Sequence, residues 1–105
     1  MADKTAIKVP VPEQAIADFC RKHHIRRLAF FGSVLRDDFR PDSDIDVLVE
    51  FEPGQVPGFF GLVGMEEELT VLFGGRKVDL RTPGELSRYF RQKVLDSAVA
   101  VYDAA

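Results

Sequence analysis

Residues 30–51 read FFGSVLRDDFRPDSDIDVLVEF, and the order of apolar and polar residues in this stretch decides the fold. Phe30 and Phe31 close an apolar run, Gly32 and Ser33 break it, and a polar loop carrying Arg36 and Pro41 follows. Asp44 and Asp46 then lead into a second apolar run. The pattern predicts a strand, a tight turn, a loop and a second strand. In an extended segment successive side chains alternate faces, so Asp44 and Asp46 point one way while Ile45 and Val47 point the other.

The chemistry follows from that alternation. Two neighbouring carboxylates repel each other, and either a cation between them or protonation of one relieves the repulsion. Hard oxygen ligands with room left for water suit Mg²⁺ or Mn²⁺, which bind through one or two carboxylates plus substrate phosphates. At the other end, Gly32 allows the backbone to turn sharply after a strand. Ser33 adds a hydroxyl at the first turn of a short helix, where amides can bind an anion. The stretch therefore predicts a phosphate end and a metal end.

Length and composition bound what surrounds it. The 105 residues, 46% of them hydrophobic, support one small domain over 1–105 with a modest core. A net charge of −3 gives no basic field for nucleic acid, so direct nucleic-acid binding finds no support. The single cysteine, Cys20, excludes an internal disulfide and a multi-cysteine zinc site, and fits a reducing compartment. With no apolar signal core and no run of membrane-spanning length, the expected location is the cytoplasm, without membrane association. Homo-oligomerisation is compatible with this composition.

Outward from the stretch, residues 1–11 read as a flexible lead-in. Pro12 and Glu13 suit the first turn of a helix whose apolar face carries Ile16, Phe19, Cys20 and His23. Cys20 reads as a small core residue, and His23 and His24 as the close of the helix. Residues 27–31 and 45–51 are the two strands. After the Pro- and Gly-dense loop 52–58, residues 59–73 carry Leu62, Met65, Leu69 and Leu72 at helical spacing, with Glu66, Glu67 and Glu68 read as a solvated face. Gly74 and Gly75 stop that helix, and residues 76–81 form a third strand in which Asp79 alternates with Val78 and Leu80. Thr82 and Pro83 predict the start of a last helix with Leu86, Tyr89, Phe90 and Val94 as its apolar stripe, and residues 98–102 a short edge strand. The fold class is α/β (α+β): a small mixed sheet of three to four strands flanked by helices.

No single piece of this is diagnostic. The ten Asp residues give about one Asp-x-Asp pair by chance, and Asp42 indeed forms a second such pair with Asp44. The conjunction of strand, Gly-Ser, short polar loop, Ser-Asp-x-Asp and a lone Asp on a third strand carries the information.

The run GSVLRDDFRPDSDIDVLVEF resembles the signature of the minimal nucleotidyltransferase family, part of the DNA polymerase beta-like nucleotidyltransferase superfamily. That signature is Gly-Ser, two residues, Arg, usually Gly, a spacer, then Ser-Asp-x-Asp and an apolar strand. Asp37 stands where the family usually has Gly. The resemblance implies the nucleotidyltransferase fold and a Mg²⁺-dependent transfer of AMP from ATP to an acceptor hydroxyl. Gly32 and Ser33 would face the nucleotide phosphates, and Arg36 would steady the loop or face phosphate. Asp44 and Asp46 would hold the metal ions, two being expected, and Asp79 would be the third carboxylate, accepting the proton of the acceptor hydroxyl or helping to hold the metal. Many members are antitoxins that adenylylate a tyrosine of a HEPN-type RNase toxin, which makes such a toxin the implied partner.

Two other functions stay open at this level. One is a non-catalytic binding module that neutralises its partner by occlusion, with Phe59 and Phe60 as an exposed anchor in place of ordinary packing at a helix start. The other is a small-molecule, aminoglycoside-like nucleotidyltransferase, disfavoured because little chain follows Asp79 to build an acceptor pocket.

Overall fold

The computed structural model describes residues 7–104. Helix α1 spans Glu13–Lys22, strand β1 Ile25–Phe31, strand β2 Ile45–Phe51, helix α2 Phe59–Leu72, strand β3 Val78–Arg81, helix α3 Arg88–Ser97 and strand β4 Val99–Asp103. Short 3-10 turns at Gly32–Leu35 and Pro83–Glu85 complete the chain. The four strands form one mixed sheet in the order β3-β2-β1-β4. β1 runs antiparallel to both β2 and β4, whereas β2 and β3 are parallel. That parallel pair requires a crossover, and α2 supplies it. No helix among the described residues is long and apolar enough to cross a membrane.

The core follows from strand alternation. Ile45, Val47 and Val49 of β2 join Leu28 and Phe30 of β1, Val78 and Leu80 of β3, Ile16 and Phe19 of α1, and Met65 and Leu69 of α2 in one buried cluster. Phe30 meets Phe73 edge to face, ring centroids 5.7 Å apart. The opposite face of β2 carries Asp46, Leu48 and Glu50, and so leaves the sheet face with the carboxylates turned away from α1 and α2. Cys20 is fully buried, and burial pushes its thiol pKa up to about 12, so it is a core residue as expected.

Residues 1–6 of the expected flexible lead-in lie outside the described residues. Residues 7–11 depart from that expectation: Ile7 and Val9 are buried in the core, and the Lys8 N–H donates to Val34 O at 2.9 Å. Ile7 and Val9 belong to the same core cluster as Val34, so burial overrides the proline punctuation.

Two helical expectations need correction. Thr82 caps the 3-10 turn at Pro83–Glu85, with both its N–H and its hydroxyl donating to Glu85 Oε1 at 3.0 Å. Leu86 then leaves helical geometry, and α3 starts afresh with Ser87 accepting from the Tyr89 N–H at 3.2 Å. The stripe Leu86, Tyr89, Phe90 and Val94 is not a core face: Leu86 precedes α3, none of the helix is buried, and Tyr89 is 93% exposed. Glu67 is exposed as expected, but Glu66 and Glu68 are not merely solvated. Glu66 Oε2 accepts the Leu80 N–H at 2.8 Å and Thr70 Oγ1 accepts that of Val78 at 3.1 Å. One turn apart on α2, they satisfy the edge of β3, which has no further strand beside it. Glu68 pairs with Lys22 and His23, each at 3.0 Å.

Candidate active site

The site is built where β1 ends against β2. Phe31, the last residue of β1, is the register partner of Asp46. The chain must therefore turn at Gly32, beside the Asp46 carboxylate, and it does so with φ +74°. That conformation disfavours any side chain, and a Cβ at this position would collide with Asp46 Oδ2. The Ser33 backbone N–H faces the Asp46 carboxylate and favours its charged form. Glycine is thus required twice at residue 32, by its backbone angle and by its neighbour.

β3 brings the third carboxylate. In the parallel β2–β3 pair Asp46 stands in register with Asp79, and Ile45 with Val78. Asp44, just before β2, is fixed by its neighbours: Ile45 N–H donates to Lys77 O at 2.9 Å, and Ser33 Oγ donates to Asp44 O at 3.4 Å. Its own carboxylate lies 3.9 Å from Lys77 Nζ.

The electrostatics are those of a crowded anionic site. Burial raises the Asp46 pKa, Asp79 and Asp44 raise it further, and Arg81 with the Ser33 N–H only partly offsets them. Asp79 is gripped by Arg81, Nε to Oδ1 at 3.2 Å and Nη2 to Oδ2 at 3.2 Å. That bond to Asp79 raises the Arg81 pKa, and the nearby Glu85 and Glu66 add to it. Among the described residues no three His, Cys, Asp or Glu side chains converge closely enough to hold a metal unaided. Even so, the donor set suits a hard divalent cation. Asp44 and Asp79 add to the cost of ionising Asp46, and a cation completed by phosphate oxygens would remove it.

The remaining expected residues divide. Gly32 and Ser33 are at the carboxylates, with the Ser33 hydroxyl bonded to Asp44 O. Arg36 is not brought there; it is exposed and pairs with Asp38, Nε to Oδ1 at 3.3 Å. Asp37 is fully exposed and pairs with Lys8 at 2.9 Å, so the charge that replaces the expected glycine is partnered by the N-terminal segment.

Two shallow clefts of about 310 and 280 Å³ flank Asp79. The first is lined by Phe31, Asp46, Asp79, Leu86 and Phe90, the second by Phe59, Val63 and Glu66, and Arg81 and Glu85 border both. Sequence reasoning missed Arg81, Glu66 and Glu85. Arg81 was within reach of the same alternation that singled out Asp79, since a residue two positions along a strand shares its face.

Comparison with known proteins gives the family and the fold. The family model described as a nucleotidyltransferase domain matches residues 13–101. The protein adenylyltransferase MntA of Thermococcus cleftensis is 36% identical over 77 residues, covering 73% of this chain and 75% of that protein. A solved structure described as a candidate minimal nucleotidyltransferase is 33% identical, with a TM-score of 0.69 over 83% of this chain and 86% of that one. A toxin–antitoxin crystal structure with AMP-PNP shares the fold at 19% identity, with a TM-score of 0.72 over 89% of this chain and 74% of that one.

Proposed function

This chain belongs to the nucleotidyltransferase domain family, and we propose that it is a protein adenylyltransferase. It would move AMP from ATP to the tyrosine hydroxyl of a HEPN-type RNase toxin, and so act as an antitoxin. The observation that carries the reading is the Gly32 turn seated against Asp46, with Asp46 in register with Asp79. The adenylyltransferase name of a relative 36% identical supports the reaction class, and the toxin–antitoxin neighbour supports the kind of partner.

In this reading the Gly32 turn lets the chain pass close against the Asp46 carboxylate, and the Ser33 hydroxyl donates to a phosphate oxygen. Asp44, Asp46 and Asp79 would hold divalent metal, two Mg²⁺ ions in this reading. When bound, the metal would supply charge neutralisation at the reacting phosphate. The acceptor oxygen bonds to the α-phosphorus as the bond to the β-phosphate oxygen breaks, and pyrophosphate leaves. Asp79 takes the hydroxyl proton. Positioning and charge neutralisation suffice, without a protein nucleophile.

The test is to incubate the protein with labelled ATP, Mg²⁺ and its candidate toxin. Label on a toxin tyrosine that disappears in Asp44→Ala with Asp46→Ala is the expected result. Absence of label, or label that survives the double substitution, removes the enzymatic reading.

A second reading has its own observation. Phe59 and Phe60, at the start of α2, are 74% and 87% exposed, not packed as an ordinary helix start. They are suited to anchor a partner beside Asp79, and occlusion alone would then neutralise it. Undiminished toxin silencing by a protein lacking all three aspartates would favour this account.

A further inference from the structure

Asp79 already has a cationic partner in this structure. Arg81, two residues along the same strand, holds both of its carboxylate oxygens in a two-point fork, each arm 3.2 Å long. The guanidinium borders both clefts that flank Asp79, and Glu85 borders them with it. Glu66 reaches the β3 edge from α2 and lines one of them. Arg81 is therefore a cation set among four carboxylates, those of Asp46, Asp79, Glu66 and Glu85. The failure of three ligands to converge on one point accompanies this grip on Asp79.

We propose that Arg81 is a built-in counter-ion: a positioning residue that acts through Asp79, standing in for positive charge until a metal–nucleotide complex takes its place. The inference rests on the reading of Asp44, Asp46 and Asp79 as cation ligands, and is independent of the acceptor. A bare divalent ion recruiting Asp79 must first break the fork. Both side chains are partly exposed, so the cost is modest, about two- to fivefold in affinity. When nucleotide arrives with the metal, its phosphates supply a new anionic partner for the freed guanidinium, and most of the cost is recovered. Arg81 thereby favours loading by the metal–nucleotide complex over loading by metal alone.

The test is a Mn²⁺ titration of the full chain, followed by electron paramagnetic resonance, without nucleotide and with a non-hydrolysable ATP analogue. Arg81→Gln is expected to tighten Mn²⁺ binding about two- to fivefold without nucleotide and by less with it. The gain should vanish when Asp79→Asn is present as well. Arg81→Lys, a point charge without the fork, should tighten Mn²⁺ by about twofold, and it decides the matter if Arg81→Gln fails to fold. Unchanged or weaker Mn²⁺ binding in the Arg81 variants overturns the proposal, as does a gain that survives Asp79→Asn. No Mn²⁺ binding by any variant without nucleotide overturns it too. If Asp79→Asn alone leaves Mn²⁺ affinity unchanged, the metal-ligand reading of Asp79 fails. If it weakens binding while the Arg81 variants do nothing, only the counter-ion role fails.

Discussion

Asp46 of β2 and Asp79 of β3 stand in register across the only parallel strand pair among the described residues, two like charges placed side by side by backbone pairing. Such a placement is unfavourable, and after burial, the larger cause, the charge of Asp79 helps to raise the Asp46 pKa. Sites that must receive a charged ligand commonly carry this kind of cost.

The cost has a measurable sign. Burial first, then Asp79 and Asp44, raise the Asp46 pKa above that of an unfolded carboxylate. Ionised Asp46 therefore destabilises the fold, with a penalty absent at acid pH and complete once pH has risen through the raised value. Asp46→Asn should raise the melting temperature of the metal-free protein at pH 7 by on the order of a few degrees. The gain should close as pH falls below about 4. Melting curves at both pH values check this, and a lower melting temperature at pH 7 would contradict it.

Gly32→Ala should be costly on two grounds. The left-handed backbone penalises a side chain by about 1–2 kcal/mol, and the new methyl displaces the Asp46 carboxylate. Denaturant titration should show the stability loss, and Mn²⁺ affinity should fall with it. A variant of wild-type stability and affinity would mean that the turn and Asp46 are not coupled.

Asp79→Asn separates binding from transfer. Asp44, Asp46 and the Gly32 turn remain, so ATP binding should persist to a measurable degree. Transfer should fall by about 10²–10⁴-fold through loss of the proton acceptor. Full transfer activity in this variant would reassign the base.

Phe59 and Phe60 are largely exposed, and their rings meet edge to face with centroids 5.6 Å apart. Replacing Phe60 by Ala should change stability by no more than about 0.5 kcal/mol. If these rings meet the partner, the same change should weaken association by more than about 1 kcal/mol. Denaturation and calorimetric binding measured on one variant distinguish the outcomes, and unchanged association would place the partner elsewhere.

The elements that carry the site were legible because their signals are local. Gly32 and Ser33 interrupt an apolar run, residues 45–51 alternate around Asp46, and Asp79 alternates with Val78 and Leu80; each pattern lies within a few residues. α3 was misread for a complementary reason. Leu86, Tyr89, Phe90 and Val94 have helical spacing, but spacing does not say whether another element lies opposite, and there α3 leaves Tyr89 in solvent. Glu66 shows the same limit. Its place among acidic neighbours suggests solvent, while the unpaired edge of β3 gives it a backbone N–H to receive.

By itself, then, the sequence determined where the chain extends, turns and coils around residues 30–51, and which side chains could bind phosphate and metal. Only the tertiary structure decided that Asp79 lies level with Asp46, that a Cβ at residue 32 would strike the Asp46 carboxylate, and that Arg81 grips Asp79. Periodicity is a property of neighbours along the chain. Register between β2 and β3 is set by the hydrogen-bonded ladder and by the crossover packing of α2, which no local pattern contains.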